Sequence, residues 1–216
     1  MSETNDLGNS IEQRRGLIFV FMAGVLWSTV GLGIRLIDEA TVWQILLYRS
    51  ISLSLFLATV IYLRSRGNLF KVVKAAGLPG CIAGLALVGA YSGGIYGIQS
   101  TSVANAMLLF ASAPFMAAIL GWIFLREKVR KATWVSILFA MLGIGIMVQD
   151  KSQGSALLGN LAALGSAFGF AVFTVALRWG RSGEMLPAVF LSGIFAIFIT
   201  SSICLLSGLP FQISIN

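Results

Sequence analysis

The 216-residue chain contains no histidine, two cysteines, four prolines and only eight acidic residues. Each scarcity closes off a class of chemistry. Without histidine there is no HExxH zinc motif and no serine–histidine pair, and no two aspartates share an apolar run. Neither a metal-dependent nor a serine hydrolase is therefore expected, and no catalytic residue is assigned. Cys81 and Cys204 lie far apart in apolar runs and lack a CxxC partner. They are read as small hydrophobic residues, so the sequence calls for no disulfide, metal or cofactor. Charge is scarce too: 11% of residues are Asp, Glu, Lys or Arg, against about 25% in a soluble domain. That is too little charge to cover a globule of this size, which points to a surface facing lipid.

What the chain does contain is apolar sequence: 57% hydrophobic residues, with a mean hydropathy of +0.91. A helix needs about 20 apolar residues to cross a hydrocarbon core of about 30 Å. Seven runs qualify or nearly so: 16–37, 43–63, 75–98, 102–125, 133–149, 156–178 and 186–208. They are continuously apolar and do not alternate as barrel strands do, so an all-α, polytopic membrane helix bundle is expected. The third and fourth runs are parted only by GIQSTS, which demands a tight turn. The polar start, MSETNDLGNSIEQRR, is followed by no A-x-A cleavage site, and the first run is read as retained.

The net charge of +7 would suit nucleic acid only if the basic residues shared a solvated face. They fall instead in short clusters between apolar runs, so no nucleic-acid partner is expected. Arg14 and Arg15 precede the first run, and Arg64, Arg66, Lys71 and Lys74 follow the second. Arg126, Lys128, Arg130 and Lys131 follow the fourth, and Arg178 and Arg181 close the sixth. Twelve of fifteen basic residues thus fall on one side, while Asp38, Glu39, Asp150 and Lys151 fall on the other. This alternation predicts a multi-pass protein of the inner (plasma) membrane with a cytoplasmic N-terminus.

Shifting the chain by 143 residues lays GLIFVFMAGVLWSTVGLGIRLI over GNLAALGSAFGFAVFTVALRWG, with Gly16 on Gly159, Trp27 on Phe170 and Arg35 on Arg178. The charge pattern puts Arg35 near the outer face and Arg178 near the inner one, so the two copies are inverted. The organisation expected is a cytoplasmic tail over residues 1–15, a first five-helix repeat over 16–149, and the start of a second repeat over 156–216. A duplicated five-helix unit implies ten spans, of which seven are seen, and a fragment or a truncated reading frame is expected.

Three stretches carry a family resemblance: GVLWSTVGLGIRLI, WQILLYRS and ANAMLLFASAPFMAAILGWIFLREKVRKATWVSILFAMLGIGIMV. The third combines a mid-helix Pro114, Glu127 after the fourth span and a glycine-bearing fifth span. Their order and spacing resemble the EamA-type permeases of the drug/metabolite transporter superfamily. The resemblance implies ten helices in two inverted halves and a permease for small metabolites, exporting amino acids or related compounds.

Alternating access around a midplane site would draw on Trp27, Arg49, Tyr91 and Asn105 as substrate-binding residues, with Pro114 as hinge. Arg49 lies roughly 9 Å into the second span, where it either clamps a solute carboxylate or snorkels to the headgroups. Trp27 and Tyr91 are near mid-span, where aromatic faces bind apolar or cationic groups. Tyr48 and Tyr96 lie closer to the outer surface and fit an interfacial belt equally well. Asn105 and Ser112 either bond a solute or bond a neighbouring helix. Gly80, Gly84, Gly89, Gly93 and Gly97, like Gly165 and Gly169, have the spacing of close helix contacts. Pro114 is expected to kink the fourth span, and Glu127 to pair with Arg126, Lys128 or Arg130. No carboxylate or histidine lies within a span core to carry a proton. The expected partners are a small-molecule metabolite and the lipid bilayer; the sequence leaves the oligomeric state open. A seven-helix retinal protein is disfavoured, since the seventh run has no lysine. The remaining alternative is a truncated, non-transporting membrane subunit or pseudogene product.

Overall fold

Lipid offers the backbone no hydrogen bonds, so a spanning segment must satisfy its own N–H and C=O groups, and a helix does this within a single run. The computed structural model of the protein describes residues 2–35, 40–148, 154–180 and 185–208, which form nine helices and no strand. In chain order they are α1 (Ser2–Arg35), α2 (Val42–Arg64), α3 (Leu69–Ala75), α4 (Gly77–Ser100) and α5 (Val103–Phe110). They continue with α6 (Ala113–Leu125), α7 (Lys131–Val148), α8 (Gly154–Trp179) and α9 (Leu186–Leu206). Every apolar run found in the sequence falls on one or two of these helices, except end residues 36–37 and 149, which lie outside the described residues. Asp38, Glu39, Asp150, Lys151, Arg181 and Glu184 also lie outside them.

Among the described residues, five segments are long and apolar enough to cross a membrane: Val42–Arg64, Gly77–Ser100, Val103–Leu125, Leu157–Trp179 and Leu186–Leu206. Lys131–Ile146 is a shorter apolar helix. Large side chains such as Leu55, Phe56, Phe139, Phe198 and Leu205 are exposed on these helices. So much bare apolar surface suits contact with acyl chains and not with water.

The chain divides into two compact units, Met1–Asp38 and Glu39–Asn216. The first unit carries α1, which begins at Ser2 and so takes in most of the polar tail. In the second, α4 runs along α8 and also packs against α9, α9 covers α2, and α5 and α6 rest on α8. Small side chains dominate these seams. Ala83 and Leu87 of α4 meet Phe173, Ala176 and Leu177 of α8 and Ala188 of α9. Ala117 of α6 meets Ala171 and Val175 of α8.

Because lipid is as apolar as leucine, helices within it associate mainly through close packing and hydrogen bonds. The α4–α8 seam uses both. A β-carbon at Gly93 would stand 2.7 Å from the Ala162 carbonyl oxygen, and one at Gly169 would stand 2.8 Å from that of Ala86. Gly97 faces Ala163, and Gly159 abuts the backbone of Ser100. The Ser166 hydroxyl donates to the Ala90 carbonyl at 2.6 Å and ties the two backbones together. The glycine spacing therefore has two meanings. Gly84 faces Leu191, Ser192 and Phe195 of α9, whereas Gly89 and Gly165 face open space.

The joints between helices are hydrogen-bonded. At the start of α2, Gln44 N donates to the Thr41 hydroxyl at 3.4 Å and Thr41 N donates to Gln44 Oε1 at 2.9 Å, a reciprocal cap. Gln99 Nε2 donates to the Ala40 carbonyl at 3.0 Å, pinning the same end of α2 to α4. The tight turn between the third and fourth runs consists of Thr101 and Ser102, and Ser102 caps α5 by accepting from Asn105 N at 3.1 Å. The fourth run is interrupted where the kink was expected, with Ala111 and Ser112 keeping right-handed helical dihedrals. Its helix stops at Phe110 and restarts at Ala113, with Pro114 in the first turn of α6, where its missing N–H costs nothing.

Alanine at Gly93 or Gly169 is expected to lower the melting temperature of the purified protein, by the equivalent of about 1–3 kcal/mol of overpacking. Alanine at Gly89 or Gly165, where a β-carbon meets nothing within 4 Å, should leave it unchanged or slightly raised.

Candidate solute-binding site

Arg49 lies two turns into α2, roughly 10 Å from its first residue, and Tyr91 lies roughly 13 Å from the last residue of α4. The two helix ends concerned are the pair joined by Gln99 and Ala40, so the residues sit at similar depth. They meet: the Arg49 guanidinium carbon stands 3.8 Å from the centroid of the Tyr91 ring. Both side chains are half-buried. Stacking a guanidinium on an aromatic face offsets part of the cost of holding a cation below the headgroups. It also leaves the N–H edges of the planar group available, the geometry that binds a carboxylate through two parallel hydrogen bonds. Among the described residues no carboxylate pairs with Arg49.

Tyr91 continues into an aromatic layer that the sequence did not reveal. Tyr91 and Phe170 pack against the same core cluster. Phe170 in turn meets Phe110 and Phe173, each with ring centroids 5.6 Å apart. The only hint in the sequence was the alignment of Phe170 with Trp27 in the internal repeat. Trp27 itself is largely exposed on α1, in the separate unit Met1–Asp38.

The other expected site residues are not gathered at the Arg49–Tyr91 pair. Asn105 occupies the first turn of α5, where its backbone serves the Ser102 cap. Among the described residues its side chain forms no hydrogen bond. Ser112, at the break, turns inward and donates to the Leu109 carbonyl at 2.6 Å, so it bonds its own segment instead of a neighbouring helix. Tyr48 and Tyr96 are exposed near the ends of α2 and α4, where an aromatic belt would lie.

Several buried polar residues escaped the sequence reading, among them Ser54, whose hydroxyl has no partner among the described residues, and Asn160. Asn160 is fully buried in α8, and its Oδ1 has no partner among the described residues. The signal was present, since an asparagine interrupts an otherwise apolar run. Two apolar clefts, of about 620 and 580 Å³, flank the α4–α8 seam and share Ile82, Phe168 and Val172. Neither is lined by Arg49 or Tyr91.

At the opposite end of the bundle Glu127 pairs with Arg178 of α8, at 2.6 Å, and not with its basic neighbours in the chain. Arg178 also donates to the Ala117 carbonyl at 3.3 Å. Gly121 makes room for the pair, since a β-carbon there would stand 2.8 Å from Glu127 Oε2. The charge pattern expects both residues on one side of the bundle, and their contact puts them at the same end.

A family model described as the EamA-like transporter family matches residues 14–149. Over 199 residues the chain is 25% identical to the protein RarD of Salmonella typhi, covering 88% of this chain and 65% of that protein. Over 87 residues it is 33% identical to the uncharacterized transporter YetK of Bacillus subtilis, covering 38% of this chain and 26% of that one. Solute carrier family 35 member G1 of Mus musculus is 25% identical over 182 residues, 76% of this chain and 47% of that one. The chain thus spans less than two thirds of the length of each of these relatives. No solved structure gives a significant match.

The Glu127–Arg178 pair is about 40% exposed on both sides, so solvent screens it despite its short distance. A double-mutant cycle with Glu127→Gln and Arg178→Gln, read by thermal unfolding, is expected to give a coupling of no more than about 1 kcal/mol.

Proposed function

Because this chain belongs to the EamA-like transporter family, we propose that it is a permease that exports small metabolites carrying a carboxylate, amino acids or close relatives, by alternating access. The observation that supports this most directly is the Arg49–Tyr91 stack. It presents one cation, below the membrane surface and beside an aromatic face, to whatever enters between α2 and α4. A carboxylate would occupy the guanidinium edge, and an apolar side chain would lie along Tyr91 and the phenylalanine layer behind it.

An aromatic, solute-facing role is proposed for Trp27 within its own unit, and a polar one for Asn105 at the start of α5. Phe170, the repeat counterpart of Trp27, packs on the core that also carries Tyr91, which supports an aromatic role for Trp27 in the other half. The proposed architecture is seven spans of a ten-span protein, in two inverted five-helix units, with a cytoplasmic N-terminus in the inner membrane. The break before Pro114 is the proposed hinge, since two short helices change their mutual angle at less cost than one continuous helix. Among the described residues the spans hold no carboxylate in their cores, which fits uncoupled export as well as transport in which the solute itself carries the proton.

The test is efflux from proteoliposomes holding the full chain, comparing a neutral amino acid with its decarboxylated amine. The amino acid is expected to be preferred, and Arg49→Gln to reduce its transport by about 10- to 100-fold, the range of a charge-assisted hydrogen bond. Tyr91→Phe should retain the stack and most activity, while Tyr91→Leu should raise KM several-fold. Equal transport of acid and amine, or an unaltered Arg49→Gln protein, would refute the carboxylate clamp. Sidedness is checked separately. In a chain with both native cysteines replaced by serine, Lys151→Cys is expected to react with an impermeant maleimide from outside, and Asn68→Cys only after permeabilisation.

A further inference from the structure

The turn between α6 and α7 forms a cleft of about 710 Å³, lined by Trp122, Ile123, Arg126, Glu127, Lys128 and Trp134, together with Val129. By length and composition it falls at one end of a membrane-length segment, where acyl chain would give way to headgroup. Arg126 and Lys128 directly follow the membrane-length segment Val103–Leu125. Trp122 lies one turn before the end of that segment and Trp134 one turn after the start of α7, the depth that tryptophan favours in a bilayer. The two indoles pack edge to face, with centroids 5.3 Å apart, and both keep much of their surface exposed.

The charges in the cleft do not cancel. Glu127 is turned toward Arg178, which holds its carboxylate at 2.6 Å. The side chains of Arg126 and Lys128 are exposed and have no ion pair among the described residues. Arg126 is also held in the left-handed region, at φ 54°, where it ends α6. A non-glycine residue in that conformation carries strain, which glycine would relieve.

We propose that this cleft binds an anionic phospholipid of the cytoplasmic leaflet, its phosphate between Arg126 and Lys128 and its first acyl methylenes against Trp122 and Ile123. Two uncompensated cations over an apolar wall match a group that is anionic at one end and hydrocarbon at the other, and that leaflet is where anionic lipid is concentrated. A free phosphate would use the cations and leave the exposed indoles without a partner. The proposal rests on the cytoplasmic placement of this turn and is independent of the solute carried.

The experiment uses the full chain in mixed micelles, where sidedness plays no part. Brominated phosphatidylglycerol is titrated beside brominated phosphatidylcholine, and quenching of tryptophan fluorescence reports binding. Phosphatidylglycerol is expected to quench at lower concentration. Arg126→Gly with Lys128→Gln should weaken it by about 25-fold, roughly fivefold for each cation removed, with phosphatidylcholine unchanged. Glycine relieves the strained turn, so a fall in melting temperature is not expected to accompany the loss. Trp122→Leu with Trp134→Leu should remove the charge-dependent part of the quenching. An unaltered titration in the double charge variant would overturn the proposal. So would an equal loss in Lys71→Gln with Lys74→Gln, which alters the same charge elsewhere, and displacement by millimolar glycerol 3-phosphate would reassign the cleft to a soluble phosphate.

Discussion

The architecture of the second unit depends on how closely α4 and α8 approach each other. In water, burial of apolar area would drive two such helices together; in lipid that term is nearly absent, and contact distance decides. Glycines at 93, 97, 159 and 169 bring backbone against backbone, and the Ser166–Ala90 hydrogen bond holds the register. The other helices are placed by that pair: α9 lies on α4, α5 and α6 lie on α8, and α2 reaches the bundle mainly through α9. Single residues in the seam therefore matter more than whole lipid-facing surfaces. A methyl group added there displaces two helices, whereas one added at Gly89 or Gly165 meets nothing within 4 Å.

Cations in the second unit are managed differently at its two ends. Near the end pinned by Gln99, Arg49 is half-buried and its solvation is supplied by the face of Tyr91. Near the other end Arg178 has a full counter-charge in Glu127, and a carbonyl besides. The first arrangement leaves hydrogen-bonding capacity to spare and the second uses it up. That asymmetry separates a group suited to receive a solute from one suited to hold α6, the following turn and α8 together.

Five membrane-length segments were legible in the sequence because continuous apolar runs have few alternatives, and their ends moved by only a few residues. The first run instead lies in a helix that begins at Ser2, and the fifth forms a shorter apolar helix. The short helix α3 was not legible: its seven residues are all exposed or half-exposed, and it carries two lysines where the sequence reads as a loop. Pro114 announced a disturbance but not its form. The ring excludes a donor and crowds the preceding turn, and the helix answers by stopping at Phe110. Glycine spacing showed that close contacts exist, but which glycines face a neighbour depends on the angle at which helices meet, and no local pattern encodes that. The same limit applies to pairs. Arg49 and Tyr91 could each be picked out by depth, yet their stacking is a fact about α2 and α4 together. The partner of Glu127 was missed because it lies 51 residues away, while plausible partners stood on either side.

The interruption between α5 and α6 has an electrostatic consequence of its own. From Val103 to Leu125 there is no charged side chain, yet the break places the carbonyl end of one helix against the amide end of another, roughly 13 Å along the segment. Each end carries a fraction of a unit charge, negative for α5 and positive for α6. A span that composition alone would rank as inert hydrocarbon thus holds a small local dipole, at a junction where Ala111 N still bonds the Met107 carbonyl and Met116 N the Ser112 carbonyl. Because that dipole is made of peptide groups, which do not titrate, it keeps its sign and strength whatever the pH on either side of the membrane.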